Sequence, residues 1–233
     1  MKLSKRLEAV ATLVDVGRRV IDVGCDHGYL DIYLTLNNNN TCLATDINPN
    51  ALNVAILNIK KHKLEKKIQT KLTNGLSGLK INKSDNIVIC GMGTLTILEI
   101  LKTNTLSDTL IISSNNNVEL LRRNIISIGY YIDTELFIID KNKPYIIIKF
   151  RKNKKKYEKR FKNNYKEEDF IFGPFLKTNI IYRNYLINKY KEVLSKISIF
   201  KIKVRFKYMY LIFKLNIIGL KTNIKKHLKK LKK

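Results

Sequence analysis

An unusual loop follows the first apolar strand signal of the chain, in the segment VIDVGCDHGYLD at residues 20–31. Gly24 and Gly28 give the backbone the freedom to pass close to a bound nucleotide. Asp26 and His27 stand between them, where a carboxylate and an imidazole are able to do acid–base or electrostatic chemistry. The spacing of the two glycines fails the G-x-G-x-x-G pattern of dinucleotide-binding proteins, which argues against an NAD-dependent oxidoreductase.

The same spacing fits the D-x-G-x-G-x-G loop of methyltransferases that use S-adenosylmethionine, with Asp26 in place of the middle glycine. Further polar or glycine-containing sites follow the next three predicted strands. Ligands of doubly wound sheets bind beyond the carboxyl ends of the strands, so these sites should meet at one crevice. The residues predicted to bind S-adenosylmethionine there are Asp22, Gly24, Cys25, Asp26, His27, Gly28, Asp46, Ile47, Asn74, Gly75, Gly91, Met92 and Gly93.

Each of these sites has a functional and a structural interpretation. Asp46 would accept hydrogen bonds from both ribose hydroxyls of the cofactor, or would cap the helix that begins near Pro49. Asn74 would bind the adenine amine of the cofactor, or would only form a turn. Gly91 and Gly93 would leave room for the methionine part and the incoming base, or would simply lead the chain from strand into helix.

The residues after the fourth strand restrict the methyl acceptor. Enzymes that methylate exocyclic amines usually place [DN]-P-P-[YF] there, whereas this chain has C-G-M-G at residues 90–93. Methylation of a pyrimidine carbon requires a cysteine nucleophile. Cys90 lacks the usual proline neighbour, which favours a role in the core. Ring nitrogens and hydroxyls remain as acceptors.

Strand and helix signals alternate through residues 1–150, which we predict to form the catalytic domain. Repeated β–α units with apolar strands indicate a parallel sheet that is covered on both faces. The last two strand signals, at 130–139 and 144–150, have no helix between them and should pair as an antiparallel hairpin at one edge. The predicted fold is therefore α/β and doubly wound, with an antiparallel edge hairpin.

Residues 151–233 differ in composition and are predicted to form a second, helical domain. They carry 26 Lys and Arg against 5 Asp and Glu, compared with 19 against 14 in residues 1–150. Such a basic segment indicates a polyanionic partner, with nucleic acid favoured over an anionic membrane. Apolar residues at helical spacing over 180–197 and 204–218 predict two antiparallel helices packed as a coiled coil. The β-branched run 198–213 leaves a strand as the alternative.

Other protein classes are disfavoured. The three cysteines lack C-x-x-C spacing, which argues against a disulfide framework or a zinc site. The N-terminal segment has the pattern of an amphipathic helix rather than a signal peptide. The apolar run 208–220 contains Lys214 and is shorter than the roughly 20 residues of a membrane span. We expect a cytoplasmic protein with no metal, no membrane association and no obligatory protein partner.

Five short motifs together resemble the TrmK family of bacterial tRNA (adenine(22)-N1)-methyltransferases. They are LSKRL at 3–7, DVGCDHGYL at 22–30, NGL at 74–76, GMG at 91–93 and GPFL at 173–176. The resemblance covers nearly the whole chain, and the Asp-His pair in the loop is its most specific feature. It implies a class I Rossmann-like catalytic domain and a C-terminal coiled-coil domain. It also implies that the substrate is an adenine of the tRNA D-arm, methylated at N1.

Three residues are predicted to act on the target adenine. Asp26 is the first candidate, because a carboxylate near the exocyclic amine would stabilise the positive charge that develops on the base. Its alternative role is to cap the helix that follows. Asn115, at the end of the fifth strand, and Tyr145, on the final hairpin, are predicted to face the same crevice, where Tyr145 would stack on the base. Lys5 and Arg6 are predicted to contact phosphates of the RNA.

An alternative from a different class is a non-catalytic RNA-binding protein that has kept a methyltransferase-like fold. The sequence feature that separates the two hypotheses is the integrity of the cofactor site. Asp22, Gly24, Asp46 and Gly91 all remain in their expected places, which favours the enzyme.

Overall fold

The chain forms two compact units, Met1–Tyr165 and Lys166–Lys233. The computed structural model describes residues 2–102, 106–152 and 165–231, with side chains as far as residue 224. The domain boundary predicted at residue 151 adjoins residues 153–164, which lie outside the described residues.

The first unit is built on one seven-stranded sheet. Its strands run in the order β3-β2-β1-β4-β5-β7-β6, and β1 to β5 are parallel. Strand β7 pairs antiparallel with both β5 and β6, so the predicted edge hairpin is confirmed. The strands are β1 Val20–Val23, β2 Cys42–Asp46, β3 Ile68–Leu72, β4 Asn86–Met92, β5 Thr109–Ser114, β6 Tyr131–Asp140 and β7 Lys143–Arg151.

Within the described ranges, five helices accompany this sheet, as the alternating pattern predicts. Three of them, α1 to α3, contribute the apolar side chains that form one buried cluster with alternate residues of the strands, including Val20, Val88 and Ile111. The intervening strand residues, such as Ile21 and Ile87, are also buried and point to the opposite face. The helices are α1 Lys5–Leu13, α2 Tyr29–Asn38, α3 Pro49–Lys61, α4 Thr94–Ile100 and α5 Val118–Ser127. This doubly wound arrangement confirms the predicted fold class.

The second unit is helical. It contains α6 Glu167–Phe172, a 3₁₀ turn at Leu176–Thr178, α7 Ile180–Lys196 and α8 Ile202–Leu231. The helix prediction for the C-terminal region is confirmed, and the alternative of a strand over 198–213 is wrong. Among the helices of the described ranges, none combines the length and the apolarity that a membrane span requires.

Helices α7 and α8 run antiparallel, as their cross-contacts show. The ring of Tyr190 lies 5.5 Å from that of Tyr208. Nearer the turn, the Arg205 guanidinium donates hydrogen bonds to the carbonyl oxygens of Leu194 and Ile197 at 3.0 and 2.9 Å. These are carbonyls that the end of α7 leaves without an intrahelical partner, so Arg205 caps α7 from the neighbouring helix.

One ion pair is fully buried between α5 and the edge strand β6. The Nε atom of Arg122 donates to Oε1 of Glu135 at 2.8 Å, and the two side chains are 1% and 0% exposed. A buried charge that loses its partner is strongly destabilising, whereas replacement of both charges by apolar groups is often neutral.

We therefore expect Glu135→Leu to lower the free energy of unfolding by about 3 kcal/mol, because it removes the buried carboxylate that accepts from the Arg122 guanidinium. The double variant Arg122→Met/Glu135→Leu should recover most of that loss. Urea unfolding followed by circular dichroism measures both. Equal losses in the single and the double variant would show that packing, rather than charge, governs this contact.

Candidate active site

A crevice of about 660 Å³ opens at the carboxyl ends of the parallel strands. This is the place where doubly wound sheets bind their ligands, and the volume is typical of a cofactor site. The predicted meeting of the strand-end residues is therefore found in the structure. The predicted residues that line the crevice are Gly24, Asp46, Ile47, Asn74, Gly75 and Met92.

The loop after β1 takes its shape from left-handed backbone at alternate positions. Gly24, Asp26 and Gly28 have φ values of +78°, +52° and +69°. The N–H groups of Gly24 and Cys25 both donate to the carbonyl oxygen of Thr45, at 2.8 and 2.9 Å, which fastens the loop to β2. A Cβ atom added at Gly24 would lie 2.5 Å from the Met92 methyl group, so a side chain there would displace Met92 from the crevice.

Asp46 is a loop anchor as well as a crevice residue. Its Oδ1 accepts the N–H of Asn48 at 2.8 Å, and its Oδ2 accepts the N–H of Asp26 at 3.2 Å. The side chain of Asn48, not that of Asp46, caps α3 by accepting the N–H of Asn50, so the helix-capping interpretation of Asp46 is wrong. Each carboxylate oxygen has a second lone pair, which leaves acceptor capacity for hydroxyl groups of a ligand.

Asp26 places its carboxylate at the rim of the site, where the side chain is 72% exposed. Its Oδ1 lies 2.9 Å from Nδ1 of His27, whose ring stacks on Tyr29 with centroids 5.7 Å apart. Helix α2 begins at Tyr29 with Gly28 as its N-cap residue, and no side chain caps it, so the helix-capping interpretation of Asp26 is wrong. The carboxylate is held by the neighbouring imidazole and is accessible to a substrate.

A second pair of carboxyl groups lies buried beneath the loop. Burial, together with the charge of Asp46, raises the pKa of Asp22 to about 7, and the nearby Arg6 guanidinium opposes the rise. Asp31, in the first turn of α2, is 0% exposed; its burial and the charge of Asp22 raise its pKa well above the usual range. Burial disfavours the charged form of each acid, and two close carboxyls cannot easily both ionise. This pair therefore retains a proton near neutral pH.

Of the residues predicted to act on the acceptor, Asn115 lies beside the end of β4, and Tyr145 contacts Arg6. Nδ2 of Asn115 donates to the carbonyl oxygen of Gly91 at 2.7 Å, and its backbone N–H donates to that of Met92 at 2.9 Å. The Arg6 guanidinium carbon lies 5.4 Å from the ring centroid of Tyr145, in cation–π contact. Asn115 thus borders the Gly91–Gly93 segment, whereas Tyr145 is linked to it only through Arg6, and neither residue is among those that line the crevice.

Arg6 also approaches the strand end directly. A Cβ atom added at Gly91 would lie 3.3 Å from Nη1 of Arg6, and the backbone N–H of Arg6 donates to Oδ2 of Asp140 at 3.2 Å. Its guanidinium is therefore part of the site, whereas Lys5 is exposed on the same helix. The prediction treated both residues alike as phosphate contacts, and the structure separates them.

The sequence reasoning missed several residues of the site. Thr96, Glu99 and Ile100 line the crevice from α4. Their helical spacing after Gly93 was the sequence feature that could have identified them as crevice residues. Asp31 was missed because nothing in its local pattern distinguishes a buried acid from a surface one. Cys90, rejected as a nucleophile, has its pKa raised to about 12 by burial and by the charge of Asp22, so its thiol stays protonated.

Comparison with known proteins places this site in a family. A family model described as a methyltransferase domain matches residues 3–148. The solved structure of M. capricolum TrmK in complex with S-adenosyl-homocysteine is 34% identical, covers 96% of this chain and 99% of its own, and superposes with a TM-score of 0.76. The chain belongs to the TrmK family of methyltransferases.

Two further TrmK-like proteins support the assignment. The tRNA (adenine(22)-N(1))-methyltransferase of Bacillus subtilis is 29% identical over 153 residues, a match that spans 64% of each chain. The Streptococcus pneumoniae protein Sp1610, solved in complex with S-adenosyl-L-methionine, is 26% identical, covers 94% of this chain and 100% of its own, and gives a TM-score of 0.79.

The buried acid pair generates a prediction about stability. An acid whose pKa is raised by folding holds a proton that the unfolded chain has released, so its cost is absent below the ordinary value of 3.8 and grows as the pH rises toward the folded-state pKa. Asp31→Asn removes that cost. We expect the variant to raise the Tm more at pH 8 than at pH 5, measured by differential scanning fluorimetry. Equal shifts at the two pH values, or the same behaviour in the exposed-acid control Glu65→Gln, would contradict this account.

Proposed function

We propose that this chain transfers a methyl group from S-adenosylmethionine to N1 of an adenine in the D-arm of tRNA, at position 22. The observation that carries the proposal is the crevice at the strand ends, bordered by the DVGCDHGYL loop with its exposed Asp26. That the M. capricolum and B. subtilis relatives bear the TrmK and tRNA (adenine(22)-N(1))-methyltransferase names supports the choice of substrate.

The residues of the crevice fit S-adenosylmethionine. Gly24 leaves its backbone open to the crevice, because a side chain at this position would collide with Met92. Asp46 keeps acceptor capacity for the ribose hydroxyls, and Asn74 lines the same crevice, where its amide suits the adenine edge of the cofactor. Asp22 lies buried behind the loop, and because its pKa is raised to about 7 it is able to ionise near neutral pH beside a cationic ligand. When bound, the cofactor supplies an electrophilic methyl group on a sulfonium.

The acceptor requires little activation. N1 of adenine carries a free lone pair at neutral pH, so no general base has to remove a proton before attack. Positive charge develops on the purine during transfer, and the exocyclic amine becomes a stronger hydrogen-bond donor. The exposed Asp26 carboxylate is suited to accept from that amine and to stabilise the charge, while its contact with His27 fixes its orientation.

Tyr145 and Asn115 are proposed to shape the acceptor side. The Arg6 guanidinium covers one face of the Tyr145 ring and limits its freedom, which prepares the ring to stack on the target base. Asn115 holds the Gly91 carbonyl and the Met92 backbone, so it fixes the wall between the cofactor crevice and the base. Its role is positional rather than direct.

The substrate must be opened before it reacts. An adenine that is methylated on its pairing edge has to leave both its base pair and the base stack, which costs roughly a few kcal/mol. We propose that residues 1–150 act as the catalytic domain and that residues 151–233 contact the tRNA. Lysine and arginine contacts to phosphates then offset the cost of opening without reading sequence.

The decisive experiment is nucleoside mass spectrometry of unmodified tRNA incubated with the protein and methyl-labelled S-adenosylmethionine. Labelled 1-methyladenosine is the expected product, and a tRNA with adenine 22 replaced by guanine should not gain it. Binding of tRNA without any 1-methyladenosine would favour a non-catalytic RNA-binding protein instead.

The role of Asp26 is tested by Asp26→Asn, which tolerates the left-handed backbone but removes the charge. We expect kcat to fall by at least about tenfold, because charge stabilisation in the transition state is removed, while the Kd for S-adenosylmethionine stays within about threefold. Glu65→Gln, an exposed acid far along the chain, serves as the control. A loss of cofactor affinity with unchanged kcat would assign the carboxylate to loop shape.

A further inference from the structure

Helix α8 carries a row of exposed apolar side chains along much of its length. These residues recur at intervals of three, four and seven, which places them on one face of the helix. Each is between 54% and 65% exposed. We call them the apolar stripe: Ile202, Phe206, Met209, Phe213, Leu220 and Ile224. At 1.5 Å per residue the stripe is about 33 Å long.

The partner helix α7 does not cover this stripe. Its contacts with α8 involve Tyr208 and the backbone at Gly219, where an added Cβ atom would lie 3.2 Å from the Arg183 guanidinium. Leu211 and Leu215, on the same side as these contacts, are the buried residues of α8. At 100° per residue this side is nearly opposite to the apolar stripe. Within the described part of the chain, helix α8 therefore has two apolar faces, and only one of them is packed.

A row of lysines flanks the apolar stripe. Lys203, Lys207, Lys214 and Lys221 are spaced by four and seven residues, so they lie along a single edge of α8 between the stripe and the packed face. We call them the basic flank. The chain contains no acidic residue after Glu192. Helix α8 itself therefore has no acidic residue that could pair with these lysines.

These charges decide which partner suits the stripe. Glu167 and Glu168 of α6 lie near Lys214, but α8 itself offers no acidic residue. A second copy of α8 would therefore bring the other lysines of the basic flank together unpaired, so self-association is disfavoured. A polyanion that also presents flat apolar surfaces meets both features. Unpaired nucleotides do this, because each combines a phosphate with a base whose face stacks on aromatic side chains.

We propose that the apolar stripe and the basic flank together bind unpaired nucleotides of the tRNA substrate, by stacking and by phosphate contact respectively. The inference rests on the proposed function and refines it: the C-terminal unit grips loop nucleotides rather than the paired stems alone. Phe206 and Phe213, two turns and about 10 Å apart, are the principal stacking residues.

Two matched double variants separate the two kinds of interaction. Phe206→Ala/Phe213→Ala should raise the Kd for tRNA at least tenfold and leave the dependence of affinity on salt unchanged, because stacking releases no counterions. The lysine variant Lys203→Gln/Lys207→Gln should make the negative slope of log K against log salt shallower, by about one for each phosphate that is no longer neutralised. Leu57→Ala, which removes an exposed leucine from α3 of the catalytic unit, should bind tRNA as the wild type does.

Fluorescence anisotropy with labelled tRNA gives the affinities, and circular dichroism with S-adenosylmethionine binding shows that each variant is folded. A single-stranded oligonucleotide should compete with tRNA better than a fully paired hairpin of equal length. The inference is overturned if the phenylalanine variant binds tRNA normally. It is also overturned if the variant loses only binding to vesicles of anionic phospholipid, or only dimer formation measured by sedimentation. Failure of the wild type to form 1-methyladenosine would instead count against the proposed function, since binding is measured independently.

Discussion

One carboxylate ties together the two loops that frame the cofactor crevice. Asp46 ends a strand of the central sheet, and its oxygens accept N–H groups from Asp26 in the loop after β1 and from Asn48 at the start of α3. Because both N–H groups donate to one carboxylate at the end of a strand, both loops are positioned relative to the sheet. The positions of Gly24, Asp26 and the first turn of α2 all follow from this anchor.

The same anchor explains how an aspartate stands where related loops carry a glycine. The backbone at Asp26 is left-handed, a conformation that costs a non-glycine residue on the order of 1 kcal/mol and that Asp tolerates better than most. The hydrogen bond from its N–H to Asp46 offsets this strain. As a result, the side chain is turned outward to the rim, where His27 holds it and a substrate can reach it.

The two units face opposite electrostatic demands. A cationic methyl donor favours acidic surroundings, and Asp22, Asp26 and Asp46 supply them around the crevice. A polyanionic RNA favours basic ones, and residues 166–233 carry 18 Lys and Arg against 4 Asp and Glu. Segregation of the charges along the chain therefore suits the proposed division of roles, with the methyl donor at the first unit and the RNA at the second.

The elements and their order could be predicted from the residues alone, because apolar periodicity and glycine spacing act within a few residues of one another. The sequence placed the strand-end sites Gly24, Asp46, Asn74 and Met92 at one crevice, because the ends of parallel strands meet at one edge of a sheet. It also predicted the two C-terminal helices, although it left a strand open for residues 198–213.

The roles that depend on distant neighbours became visible in the folded chain. Neither Asp46 nor Asp26 caps a helix, because the N-cap positions of α3 and α2 are occupied by Asn48 and Gly28. The burial of Asp31 beside Asp22, and the approach of Arg6 to Tyr145 from the N-terminal helix, join residues far apart in the sequence. Local pattern cannot encode such contacts, because packing of whole elements brings them about.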